Sequence, residues 1–200
     1  MLENSITASC HAVIFDLDGT LVDTLPDLHH AINLVLEEEG LQALAQEETR
    51  LMIGGGARNL IELAFAKREI NANPYRINAG FDRFLNYYGA EPTSRSSIFP
   101  GVLDVLGNLS GKGIAMGVCT NKPQKMAEQV LKWLKNSHFF GEAVIGGDTL
   151  PLRKPDANHL LAVIKKTGRV PANALMVGDS ETDVSTARNA GVPIIAVDFG

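Results

Sequence analysis

The chain contains only two cysteines, Cys10 and Cys119, among 200 residues. They lie far apart and suggest no disulfide framework, which points to reduced, intracellular thiols. Cys119 sits in an apolar run and reads as a small core residue. Positive charge is not in excess: 18 Lys and Arg stand against 23 Asp and Glu, a formal net charge of −5. That balance argues against a nucleic-acid or anionic-membrane partner, since both need a basic face. No apolar run approaches the length of a membrane span. The opening stretch MLENSITASCH has no basic start followed by an apolar block, so no secretory signal is expected and the cytoplasm is the default compartment. Repeats and low-complexity segments are missing too. What the chain does have is a 45% apolar composition. That suffices for one domain of good size, or a core domain with a small insertion, held without disulfides or metals.

Apolar, strand-like runs recur at Ala12–Phe15, Ile114–Cys119, Ala143–Ile145, Ala174–Val177 and Pro193–Val197. Helical patterns lie between them. Lys122–Lys135 carries Met126, Val130 and Leu134 at four-residue spacing, Asp156–Thr167 stops at Gly168, and Glu181–Ala190 stops at Gly191. Strand and helix in alternation predict an α/β fold: a parallel sheet with helices on both faces. One interval breaks the rhythm. From Thr24 to about Ile98 there is almost no strand signal, and a structureless loop of that length is implausible. Segments 25–40, 57–69 and 74–89 have helical spacing instead, the first with Pro26 in its opening turn and Gly40 at its end. Residues 24–98 therefore read as a helical insertion, and residues 1–23 and 99–200 as the core.

The polar residues of interest stand where apolar strands stop. VIFD delivers Asp16, with Asp18 two places on; AMGVCT delivers Thr120; LMVGD delivers Asp179, with Asp183 four further along. Lys154, before Pro155 at a helix start, joins from the loop after the third strand. In open parallel sheets, ligands bind outside the carboxyl ends of the strands. Several carboxylates with no Cys or His beside them describe a hard-cation site. Magnesium takes oxygen ligands, few of them from protein and the others from water and substrate phosphate. A cation also resolves the repulsion between Asp16 and Asp18. Lys154 and Thr120 would face phosphate oxygens, and the helix start near Asn121-Lys122 would add backbone N–H groups. With phosphate held, one aspartate can act as nucleophile and a second as general acid.

These residues resemble the haloacid dehalogenase-like phosphohydrolases, whose four motifs stand in order: DLDGT at 16–20, CTN at 119–121, RKPD at 153–156 and GDSETD at 178–183. Further stretches, among them IGGGA, CTNKP and ARNAGVP, look like the phosphoglycolate phosphatase branch. The resemblance implies a Rossmann-like core with the helical insertion as a cap that closes over small substrates. It implies Asp16 as nucleophile, forming an aspartyl-phosphate, and Asp18 as proton donor to the leaving alkoxide and then as base for water. It implies Mg2+ held by the Asp16 carboxylate, the Asp18 backbone carbonyl and the Asp179 carboxylate. Asp183 would be an outer partner holding water or Lys154, and Thr120, Asn121 and Lys154 would cradle the phosphoryl group. The substrate implied is a small phosphomonoester, foremost 2-phosphoglycolate, for a monomer or homodimer.

Ordinary readings stand beside these. Asp, Gly and Thr after a strand are common turn residues; Thr120 and Asn121 can cap a helix; Lys154 can be a solvated surface charge; Asp183 can serve the helix dipole. Three functional alternatives also stay open: a mutase of the beta-phosphoglucomutase kind, a pyrophosphatase, and a phosphate-binding regulator without activity. Members of the resembled family usually continue past the last strand with another loop and a closing helix. The chain stops at Phe199-Gly200, so exposed apolar surface is expected on one sheet face.

Overall fold

A computed structural model of the protein describes residues 10–69, 71–133, 135 and 137–200. Leu134, the last member of the four-residue spacing, and Met1–Ser9 lie outside the described residues. The described residues form two compact units, one made of the segments up to Val22 and from Ile98 to Gly200, the other of Asp23–Ser97.

The first unit is a five-stranded parallel sheet. In chain order its strands are β1 (Ala12–Phe15), β4 (Ala115–Cys119), β5 (Val144–Ile145), β6 (Ala174–Gly178) and β7 (Ile194–Ala196). Their spatial order is β5-β4-β1-β6-β7. Two short strands, β2 (Val22–Asp23) and β3 (Ser97–Ile98), make a separate ribbon. β1 is the centre: Ala12 pairs in register with Ala115 on one side and with Ala174 on the other. A central parallel strand is covered on both faces, which is why AVIF is apolar without alternation and fully buried.

Alternate residues of β1 face opposite layers. Val13 and Phe15 pack with Met116, Val118 and Phe140 against helices α5 (Val102–Gly111) and α6 (Gln124–Trp133), through Leu106, Ala127, Val130 and Leu131. Ala12 and Ile14 pack with Cys119, Ile145 and Met176 against α7 (Ala157–Lys166) and α8 (Glu181–Ala190), through Leu160, Val163, Ile164 and Ala187. Burying a side chain such as Ile14 or Phe15 contributes about 1.5–3 kcal/mol, so the strand is anchored from both sides. The helix after β4 starts at Gln124 rather than Lys122, because Pro123 opens the first turn and its carbonyl accepts from Met126 and Ala127. Apolar surface is exposed beside the sheet's β7 edge. Ile195, Phe199 and, on α5, Leu103 and Val105 are each about half exposed.

The second unit is helical: α1 (Leu25–Glu38), α2 (Gln46–Arg50), α3 (Ala57–Lys67) and α4 (Pro74–Ala90). α1 buries Leu28, Ala31, Ile32, Val35 and Leu36, one apolar stripe at three- and four-residue spacing. It meets Leu60, Ile61 and Phe65 of α3 and Phe84 and Tyr88 of α4 through the unit's interior. Asp27, buried in the first turn of α1, ties down residues 94–96: it accepts from Ser94 Oγ at 3.1 Å, from the Arg95 N–H at 3.0 Å and from Ser96 Oγ. No helix among the described residues is long and apolar enough to cross a membrane.

Candidate active site

The strand order places the candidate residues. From β1 the chain crosses to β4 and β5 on one side, then returns to β6 and β7 on the other. The carboxyl ends of β1, β4 and β6 therefore open on one crevice, the switch point of the sheet. Asp16 follows β1 directly. Its backbone N–H continues the ladder to Val177 O at 2.9 Å, and its Oδ1 accepts from the Leu17 N–H at 2.7 Å. The chain then turns tightly, with the Leu21 and Val22 N–H groups both returning to Leu17 O.

Gly19 sits in that turn at φ +83°, and a Cβ there would lie 2.3 Å from Asp179 Oδ2. Glycine is needed both for the left-handed backbone and for the close approach. Thr20 Oγ1 donates to Asp179 Oδ1 at 2.7 Å, so the Gly-Thr pair seats the carboxylate that arrives from β6. Gly178 repeats the device: a Cβ there would meet Asp183 Cγ at 2.5 Å. α8 can thus start immediately against the strand end. Ser180 caps it, with Oγ accepting from the Asp183 N–H at 3.2 Å while Asp183 Oδ2 accepts from Ser180 N–H at 3.1 Å and Oγ at 2.6 Å.

Lys154 joins the two groups. Its Nζ, fully buried, donates to Asp16 Oδ1 and Asp183 Oδ1 at 2.8 and 2.7 Å. Among the described residues Asp16, Asp179 and Asp183 form a carboxylate cluster whose oxygens lie within 4.8 Å of one another. The Asp18 carboxylate is outside that cluster: Lys122 Nζ donates to its Oδ1 at 2.8 Å. Thr120 Oγ1 accepts from the Lys122 N–H at 3.2 Å, and Asn121 Nδ2 donates to Lys154 O at 3.1 Å. Asn121 thus positions the loop that carries Lys154, a use the sequence did not suggest.

Three further residues escaped the sequence reading. Thr20 belonged to a quoted motif but received no task. Lys122 counts in the sequence only through its backbone at the helix start, since lysines are rarely buried; its place between Asn121 and Pro123 at a strand end is the available signal for its side chain. His159 lies in the first turn of α7, where nothing marks it. It is fully buried, its Nε2 3.1 Å from Gly146 O and its Nδ1 3.3 Å from Cys119 Sγ. A carbonyl only accepts, so Nε2 carries the proton and the Cys119 thiol donates to Nδ1. Burial holds the imidazole below its ordinary pKa and pushes the thiol up to about 12, so this pair is a neutral strut rather than a reactive thiolate.

Four carboxylates, Asp16, Asp18, Asp179 and Asp183, face two ammonium groups, Lys122 and Lys154. The formal charge left over is −2, in a largely dry site. Burial above all, and then the charges of Asp183 and Asp179, push Asp16 up to about 8 against the pull of Lys154. Burial likewise raises Asp179, opposed by the Thr20 hydrogen bond. Burial works against the Lys154 charge, but Asp16 and Asp183 outweigh it and hold the ammonium above its usual range. An all-oxygen donor set with more carboxylates than ammonium groups fits a hard divalent cation.

The folded form retains a proton on Asp16 between about pH 4 and about pH 8, where the unfolded chain does not. The contribution of this group to stability is complete below the unfolded pKa and is lost as pH rises through the folded one. The cation-free protein is therefore expected to lose stability across that window. A divalent cation competes with the proton, so the melting temperature should rise more on adding it at about pH 8 than at about pH 5. Equal rises in a thermal melt would contradict this.

Comparisons with known proteins give the family and the fold. The family model described as haloacid dehalogenase-like hydrolase matches residues 13–197. The chain belongs to the haloacid dehalogenase-like hydrolase family. Within it, the chain is 44% identical over 193 residues to a phosphoglycolate phosphatase of Rhodospirillum rubrum, covering 94% of this chain and 80% of that protein. It is 44% identical over 188 residues to one of Caulobacter vibrioides, covering 94% and 79%. Among solved structures, a predicted phosphoglycolate phosphatase of Haemophilus somnus superposes with a TM-score of 0.88 at 32% identity, over 96% of this chain and 87% of that one. That solved structure shares the α/β sheet with helices on both faces.

Proposed function

We propose that this hydrolase is a Mg2+-dependent phosphatase of small phosphomonoesters, with 2-phosphoglycolate as substrate. The observation that carries the reading is the convergence of Asp16, Asp179 and Asp183 within 4.8 Å, bridged by Lys154. The names of the relatives at 44% identity support the choice of ester. The Asp16 carboxylate attacks phosphorus, and the bond from phosphorus to the leaving oxygen breaks. Asp18 gives its proton to that oxygen, then takes one from the water that hydrolyses the aspartyl-phosphate. Thr120, Asn121 and Lys154 hold the phosphoryl oxygens, Lys154 doing so while tied to Asp183. The Asp16 and Asp179 carboxylates and the Asp18 backbone carbonyl would hold Mg2+, which supplies positive charge opposite the phosphoryl oxygens. In this reading the helical unit is the cap that selects the leaving group, and the enzyme works in the cytoplasm as a monomer or homodimer.

A panel of phosphoglycolate, sugar phosphates, nucleotides and pyrophosphate, with Mg2+ and with chelator, tests it. Phosphate release is expected to be fastest from phosphoglycolate, to fall at least about 100-fold with chelator and to return with Mg2+. A mutase would instead move the phosphoryl group between positions of a sugar, and activity undiminished by chelator would remove the metal from the proposal.

A further inference from the structure

The phosphatase reading gives the Lys122 side chain no task, yet the fold buries it. Its side chain is 3% exposed and its ammonium donates to Asp18 Oδ1 at 2.8 Å. The backbone on either side is fixed as well: Lys122 N–H donates to Thr120 Oγ1, and Lys122 O accepts from the Gly147 N–H at 2.9 Å. Sinking a lysine this deeply is costly unless a carboxylate meets it. The carboxylate it meets is the one that must stand at the leaving oxygen.

An ammonium has three donors and no acceptor. In its bond to Asp18 Oδ1 the lysine is therefore the donor, and the carboxyl is held at that oxygen. We infer that Lys122 is a positioning residue that fixes the Asp18 rotamer and so aims its carboxyl at the leaving oxygen. The inference rests on the phosphatase reading. In the first step the Asp16–phosphorus bond forms, the bond to the leaving alcohol breaks, and the Asp18 proton passes to the leaving oxygen. In the second, a water oxygen bonds to phosphorus, the Asp16–phosphorus bond breaks, and the water's proton returns to Asp18. Lys122 keeps its protons throughout.

The test compares two esters by kcat/KM, which reports the steps through departure of the leaving group. Phosphoglycolate leaves as an alkoxide that needs a proton; 4-nitrophenyl phosphate leaves as a stable phenolate that does not. Lys122→Met is expected to lower kcat/KM about 100-fold for phosphoglycolate and less than about fivefold for the aryl ester. A burst of nitrophenolate should appear as well, because the second step still needs Asp18. Lys122→Arg, which keeps a donor, should recover part of the loss.

Adding Lys122→Met to Asp18→Asn should change phosphoglycolate turnover less than about twofold beyond Asp18→Asn alone, since the lysine acts through Asp18. This pair removes both charges together and decides the matter should the single variant not fold. Equal falls on the two esters, no fall on either, or a further loss in the double variant would overturn the role of Lys122 alone. A wild-type protein inert toward both esters with Mg2+ would overturn the phosphatase reading beneath it.

Discussion

Asp16→Asn is expected to lower turnover by at least about 10⁴-fold while the fold stays intact. Asparagine has the same shape and keeps Oδ1 as acceptor for the Leu17 N–H and for Lys154 Nζ. The apolar packing of β1 is untouched. What disappears is the nucleophile, since an amide oxygen does not displace an alkoxide from phosphorus. A buried neutral amide also costs less than a buried carboxylate crowded by Asp179 and Asp183, so the melting temperature without cation should not drop. Steady-state phosphate release together with a circular-dichroism melt checks both halves. Hydrolysis retained above about 1% of wild type would remove the nucleophile assignment.

Lys154→Met carries the largest expected effect on stability. Among the described residues the ammonium is the one cation shared by Asp16 and Asp183, and all three side chains are almost completely buried. Removing one partner of such a pair strands the charges left behind, a loss of about 3–5 kcal/mol. Methionine fills similar volume, so little of that loss is packing. A divalent cation lends positive charge to the same carboxylates, so the deficit should shrink when the cation is present. Denaturant unfolding of the variant with cation and with chelator measures it. A deficit below about 1 kcal/mol in chelator would mean that the two aspartates do not depend on the lysine.

The sheet was legible because its strands are buried on both faces. The central parallel strand leaves a continuous apolar run, and β1 begins and ends where AVIF does. β4 to β7 start or stop within a residue or so of their runs. The helical segment was legible from its spacing, Pro26 and Gly40 in particular. The ribbon of β2 and β3 was not, since two residues per strand carry no periodicity. At the site, carboxylates at strand ends could be found because charge seldom follows a buried strand without a reason. The Lys154–Asp183 bond was implied by the resemblance, but the other hydrogen-bond partners could not be found. That Asn121 holds Lys154 O, that Thr20 seats Asp179 and that Lys122 meets Asp18 depend on which loops the fold brings face to face. Sequence spacing does not encode that.

The contacts that complete this site join residues remote along the chain: Thr20 to Asp179 across 159 positions and Lys122 to Asp18 across 104. β1 leaves the ribosome first, yet its flanking strands β4 and β6 emerge only after the helical unit, which can close its own mostly local contacts. Throughout that interval AVIF is an unpaired apolar edge on the nascent polypeptide, a template for wrong partners. The interval between β1 and its partners is therefore when this hydrolase is most exposed to mispairing during synthesis, long before any catalytic group has met another.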